Sequence, residues 1–121
     1  MSVLKLESTL VGVAGEYFVA AELSLRSTLA SITFRNNCGI DIVASNVDAL
    51  RTVSIQVKTN KCGASSWMLG RKSETFFSET HFYVFVALRV VGERPDFFVA
   101  PSTDVANFVR TSHSRWLEGT K

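Results

Sequence analysis

Apolar and polar residues change their spacing several times along the chain, and each change predicts an element. Residues 12–26 are mostly helix formers, and at about 100° per residue Gly12, Val13, Val19, Ala20 and Leu23 share one face. The spacing predicts an amphipathic helix with Ser8 or Thr9 as N-cap and with Glu22 and Arg26 well away from the apolar centre. Glu16 falls among the apolar positions, where a carboxylate is expensive to bury without a cation or donors nearby. Residues 29–34 run into a short strand, and 35–39, with two asparagines and a glycine, form a turn.

Two β-like runs follow, 40–45 and 52–59, around the turn formers Asn46 and Asp48. As a hairpin, Val43 faces Ser54, Ser45 faces Thr52 and Asp41 faces Gln56, with Lys58 two residues on along the same side. Ile42, Ala44, Val53, Ile55 and Val57 then occupy the other side. A slip of one residue would carry charge into the core, so the pattern selects this register. Residues 60–64 read as a loop and 65–69 as a short strand carrying Trp67. The run 81–88 is apolar without alternation, as expected of a central strand buried on both faces. Residues 92–95 turn the chain into a strand at 97–100, and Pro101 and Ser102 introduce a helix over 103–109 with Asp104 in its first turn. The tail beyond it reads as a last turn packed through Trp116.

Length and composition narrow the class. One domain spanning residues 1–121, 46% hydrophobic and 20% charged, is too apolar and too balanced for a disordered chain. The formal charge of +2 does not identify a nucleic-acid partner, so any basic surface has to be local. No apolar run approaches the roughly 20 residues of a membrane span, and no leader pattern opens the chain, so a cytoplasmic protein is expected. Cys38 and Cys62, without Cys-x-x-Cys spacing, read as free thiols. No Gly-x-Ser-x-Gly elbow is present, which disfavours a serine hydrolase.

The chemistry gathers at Glu16, Asp41, Gln56 and Lys58. Oxygens from Asp41, Gln56 and Glu16 suit a hard cation such as Mg2+, with Mn2+ as a substitute. An ammonium at Lys58 would orient an attacking water and offset the charge that develops on a phosphodiester. Lys61, Arg71 and Lys72 flank the following loop, where positive charge would hold a phosphate backbone. Trp67, Phe76 and Phe77 could stack on an unpaired base. His81 reads as a hydrogen-bonded strand-end histidine, and His113 with Arg110 and Arg115 as a solvated face.

At Gly15-Glu16, Gly39-Ile40-Asp41-Ile42 and Gln56-Val57-Lys58-Thr59 the chain resembles the PD-(D/E)XK, or restriction-endonuclease-like, nuclease superfamily in its glutamine variant. The resemblance implies an α/β fold with a central mixed sheet flanked by helices on an αβββαβ core. It implies that Asp41 is the metal-binding aspartate, Gln56 the second metal position, Lys58 the catalytic lysine and Glu16 the helix glutamate. Ile40 stands where the family often has proline, and Gln56 is neutral where a carboxylate is commonest. The function expected is Mg2+-dependent hydrolysis of DNA. A catalytically inactive nucleic-acid-binding or assembly module on the same fold is the first alternative, and a structural protein binding partners through its apolar surface is the second. A homodimer is also expected. A mean hydropathy of +0.17 with 9 phenylalanines exceeds what one small core hides, and two sites would address two strands. Phe76, Phe77, Phe108 and Trp116 are the candidate contacts.

Overall fold

The structure, a computed structural model, describes residues 7–34, 39–64 and 66–119, with side chains to Ser112. It is an α/β fold: a five-stranded mixed sheet with one long helix on each face. The order is α1 (Ser8–Leu25), β1 (Thr28–Ile32), β2 (Ile42–Asn46), β3 (Thr52–Asn60), a single 3-10 turn (Arg71–Glu74), β4 (His81–Ala87), β5 (Asp96–Pro101) and α2 (Ser102–Gly119). The strands lie side by side in chain order. All neighbours are antiparallel except β3 and β4, which run parallel.

The parallel pair requires a crossover. It is made by residues 61–80, whose 3-10 turn packs on α2. Where the resemblance implies a helix between the third and fourth strands, this chain has that one turn, and its second long helix comes after β5. Residues 66–69 form no strand, because Trp67 folds back over the sheet. Its indole N–H donates to the carbonyl of Val86 at 3.1 Å, and its ring meets Phe85 and Phe98.

The hairpin has the expected register: Val43 pairs with Ser54 and Ser45 with Thr52. Its turn is built by the polar residues that mark it. Asn46 accepts the amides of Ala49 and Arg51 through its backbone and side-chain oxygens, and Asp48 Oδ1 accepts that of Leu50. The apolar side of β2 and β3 is the core. Ile42, Ala44 and Ile55 join Val19, Val84 and Val86 in one buried cluster, with Val53 and Val57 packed against it. β4 has buried residues on both faces, Tyr83 on one and Val84 and Val86 on the other.

Two details of α1 differ from the sequence expectation. The helix starts at Ser8, and Glu7 occupies the cap position without a side-chain hydrogen bond, so neither Ser8 nor Thr9 caps it. Its buried line is Val11, Gly15 and Val19 rather than a face containing Val13. Gly15 is needed there because a Cβ would stand 1.7 Å from Thr59 Oγ1, so the helix crosses the end of β3 almost in backbone contact. This rotation also brings Glu22 inward. Far from being solvated, it holds both Arg26 and Arg94, the latter from the turn before β5.

α2 is longer than the 103–109 expected, and the proposed tail turn lies within it. Ser102, fully buried at its start, donates to the carbonyl of Ser78 and accepts its amide. The side chains of His113, Arg115 and Trp116 lie outside the described residues, as does Cys38, while Cys62 is an exposed free thiol. Among the described residues no helix is long and apolar enough to cross a membrane.

Candidate active site

Asp41 is held by four hydrogen bonds. Its amide donates to Ile55, its carbonyl accepts from the amide and the hydroxyl of Thr33, and its Oδ2 accepts the amide of Val57 at 2.7 Å. It stands one residue beyond the Ile42–Ile55 pair, abreast of Gln56. An aspartate fits here because β2 has not yet begun to pair regularly and its carboxylate satisfies an N–H at the hairpin's open end. One carboxylate oxygen is thereby committed to the backbone, which fixes the direction of the other.

Gln56 and Lys58 follow at two-residue spacing on the side of β3 opposite the core, both half-buried. The parallel register sets Tyr83 beside Gln56 and Phe85 beside Lys58. Gln56 Oε1 points towards the approach to β2, lying 3.6 Å from where a Cβ on Gly39 would be. Gly39 has φ +73°, a left-handed conformation that glycine adopts without strain. The sequence thus brings Asp41, Gln56 and Lys58 to one end of one sheet face. Glu16 is half-buried on α1, next to the Gly15 that touches Thr59, and so belongs to the helix turn crossing the same end of β3.

The basic residues divide into two groups. Arg71 and Lys72, on the 3-10 turn, line a cavity of about 280 Å3 together with Gln56, Lys58, Phe76 and Tyr83. Lys61 lies apart from them. It borders a second cavity of about 300 Å3 at the start of α1, and Lys58 is a wall of both.

Tyr83 is a site neighbour that sequence reasoning left inside an apolar strand, and His81 beside it is the hydrogen-bonded strand-end histidine that the sequence suggests. His81 is buried, its Nδ1 is 2.6 Å from Ser54 Oγ, and its Nε2 has no hydrogen-bond partner. Burial lowers its pKa below the ordinary 6.5, against the opposing attraction of the Asp41 carboxylate and a hydrogen bond with Ser54. Burial raises that of Tyr83, with a contact to Ser73 acting against it. The signal that could have placed both beside the site is the parallel pairing, since only that register aligns alternate residues of 81–85 with the polar face of β3.

Among the described residues no three His, Cys, Asp or Glu side chains form a metal cluster; the hairpin itself offers the Asp41 carboxylate and the Gln56 amide, whereas Glu16 belongs to α1, which packs on the opposite face of the sheet. Comparison with family models, with curated proteins and with solved structures gave no match. The chemistry therefore has to be argued from these side chains alone.

Proposed function

We propose that this protein is a metal-dependent endonuclease-like hydrolase of DNA phosphodiester bonds, built on a variant of the restriction-endonuclease-like core in which the crossover helix is reduced to one turn. The observation that carries the reading is the shared end of β2 and β3. Asp41, anchored by the Val57 amide, stands abreast of Gln56, and Lys58 follows on the same face beside the cations Arg71 and Lys72.

The donor set suits Mg2+. Asp41 and Gln56 Oε1 would supply hard oxygens from the hairpin and Glu16 a third from the helix crossing the end of β3, few enough that several positions would remain for water and a substrate phosphate. Such an ion, when bound, lowers the pKa of water and neutralises charge on the phosphate. The chain's own contribution is positioning and charge. Lys58 holds the attacking water in line with phosphorus and offsets the negative charge that grows as the new P–O bond forms and the sugar oxygen leaves. Arg71 and Lys72 hold the neighbouring backbone.

A plasmid-nicking assay with Mg2+ or Mn2+ tests this. Cleavage by wild type and its loss in both Asp41→Asn and Lys58→Ala are expected. Cleavage equal in all three, or absent from wild type with either metal, overturns the reading.

A second reading, binding without turnover, is favoured by the lining of the 280 Å3 cavity, which among the described residues holds three cations and no carboxylate, and by the neutrality of Gln56. It predicts salt-dependent DNA binding in EDTA and no cleavage with metal. Exposed Phe77 and Phe108 support a two-fold dimer. Light scattering at twice 13.3 kDa is the expected result.

A further inference from the structure

The cavity beside Lys58 has two kinds of lining. Lys58, Arg71 and Lys72 make it cationic, and among the described residues no aspartate or glutamate lines it. It is also aromatic. Tyr83 is almost fully buried behind it, and Phe76, 38% exposed, stands at its rim.

Phe76 is held in place from two directions. His81 meets its ring edge to face, with centroids 4.8 Å apart and planes at 84°. On another side the ring faces Gly39, where a Cβ would lie 3.4 Å from Phe76 Cε1. An aromatic ring fixed this way loses little freedom when something stacks on it. Gln56 adds to the lining an amide able both to donate and to accept.

Size selects the occupant. At about 280 Å3 the cavity is at the small end of ligand pockets, roughly 300–1,000 Å3. It has room for a single nucleotide and none for a base pair within a duplex. Bases in a duplex also hide their faces against one another, so a side chain can stack only on one that is unpaired or turned out.

We propose that this cavity receives one unpaired nucleotide, its phosphate among Lys58, Arg71 and Lys72 and its base against Phe76, and that the protein therefore prefers single-stranded nucleic acid or a frayed end to intact duplex. The proposal rests on the nucleic-acid reading above but not on hydrolysis.

Fluorescence anisotropy in EDTA, where no cleavage can intervene, tests it with a labelled 12-nucleotide single strand and the same sequence as a blunt duplex. Wild type should bind the single strand at least about tenfold more tightly. Phe76→Leu, which keeps an apolar contact with His81 but has no π face, should weaken single-strand binding about tenfold and change duplex binding less than about twofold. Phe76→Tyr should bind as wild type does. The Arg71→Ala, Lys72→Ala double variant should weaken both ligands and reduce the salt slope by about 1–2. Equal wild-type affinity for the two ligands, or Phe76→Leu binding the single strand as wild type does, overturns this inference and leaves the proposed function standing. Binding to neither ligand overturns both.

Discussion

The sheet face turned away from α1 has two halves with different fates. Over β4 and β5 it is aromatic and packed, although Phe98 on β5 stays 53% exposed. Tyr83 stacks on Phe85, Trp67 closes over Phe85 and Phe98, and α2 packs alongside with Val105 and Ala106 buried. Over β2 and β3 it carries Asp41, Ser54, Gln56 and Lys58, and α2 makes its sheet contacts with β4 and β5 instead. The candidate site lies on the seam between them. Charged groups at such a seam have low-dielectric walls on one side and solvent on the other, so they act over a longer range than on an open surface while remaining reachable.

Adjacent residues of β2 give the sharpest contrast between buried and open faces. Ile42→Ala, at a fully buried position under α1, should cost about 2–5 kcal/mol in urea unfolding. Val43→Ala, next in sequence and 39% exposed on the other face, should cost less than about 1 kcal/mol. A similar loss at both would mean that the open half is covered in solution, as in an oligomer. Lys58→Ala should reverse the pattern. Cleavage should fall at least about a hundredfold, or about 2.7 kcal/mol, with the melting temperature nearly unchanged.

The helix crossing can be tested independently. Gly15→Ala places a methyl group against Thr59 and should destabilise by about 1–3 kcal/mol, and adding Thr59→Ala, which removes Oγ1 but leaves a Cβ 2.8 Å away, should restore part of the loss. A smaller effect concerns pH. His81 stays neutral in the fold at pH values where the unfolded chain takes up a proton, because burial lowers its pKa below 6.5. Its contribution is therefore complete above that value and is lost as pH falls from there towards the folded pKa. The urea midpoint should decline over that interval, and His81→Gln should flatten the decline. The smallest change is expected at the surface pair Arg89–Asp96, where Arg89→Ala should shift stability by no more than about 0.5 kcal/mol.

Legibility followed the range of the interactions. The hairpin register could be read because Ile42, Ala44, Val53 and Ile55 alternate with polar residues and a slip would bury charge. The position of Asp41 abreast of Gln56 came with it. α1 could be located and Val19, Ala20 and Leu23 put in the core, but Val11 and Gly15 were missed in favour of Gly12 and Val13, since the fine rotation depends on the fit of Gly15 against Thr59, residues 44 positions apart in sequence. Burial of Glu22 followed from that rotation and from Arg94, which no helical wheel contains. The supposed strand at 66–69 failed for a related reason: apolar Trp67 and Leu69 are there to cover β4 and β5, not to pair. Arg71 and Lys72 were readable as basic residues but their separation from Lys61 was not, because it depends on the path of the crossover.

That crossover also bears on the order of assembly. The three-stranded meander and α1 close through short connections, whereas β4 reaches β3 only after the 20 residues between Asn60 and His81 have been looped out. Closure of the longer loop is slower and entropically more expensive, so the meander forms first and β3 waits with one edge unpaired. Such an edge invites pairing with another chain during synthesis. Lys58, half-buried near the end of that strand, places a charge where a second β-strand would otherwise add. A positive charge on a strand awaiting its neighbour is the kind of feature that disfavours pairing with a second chain.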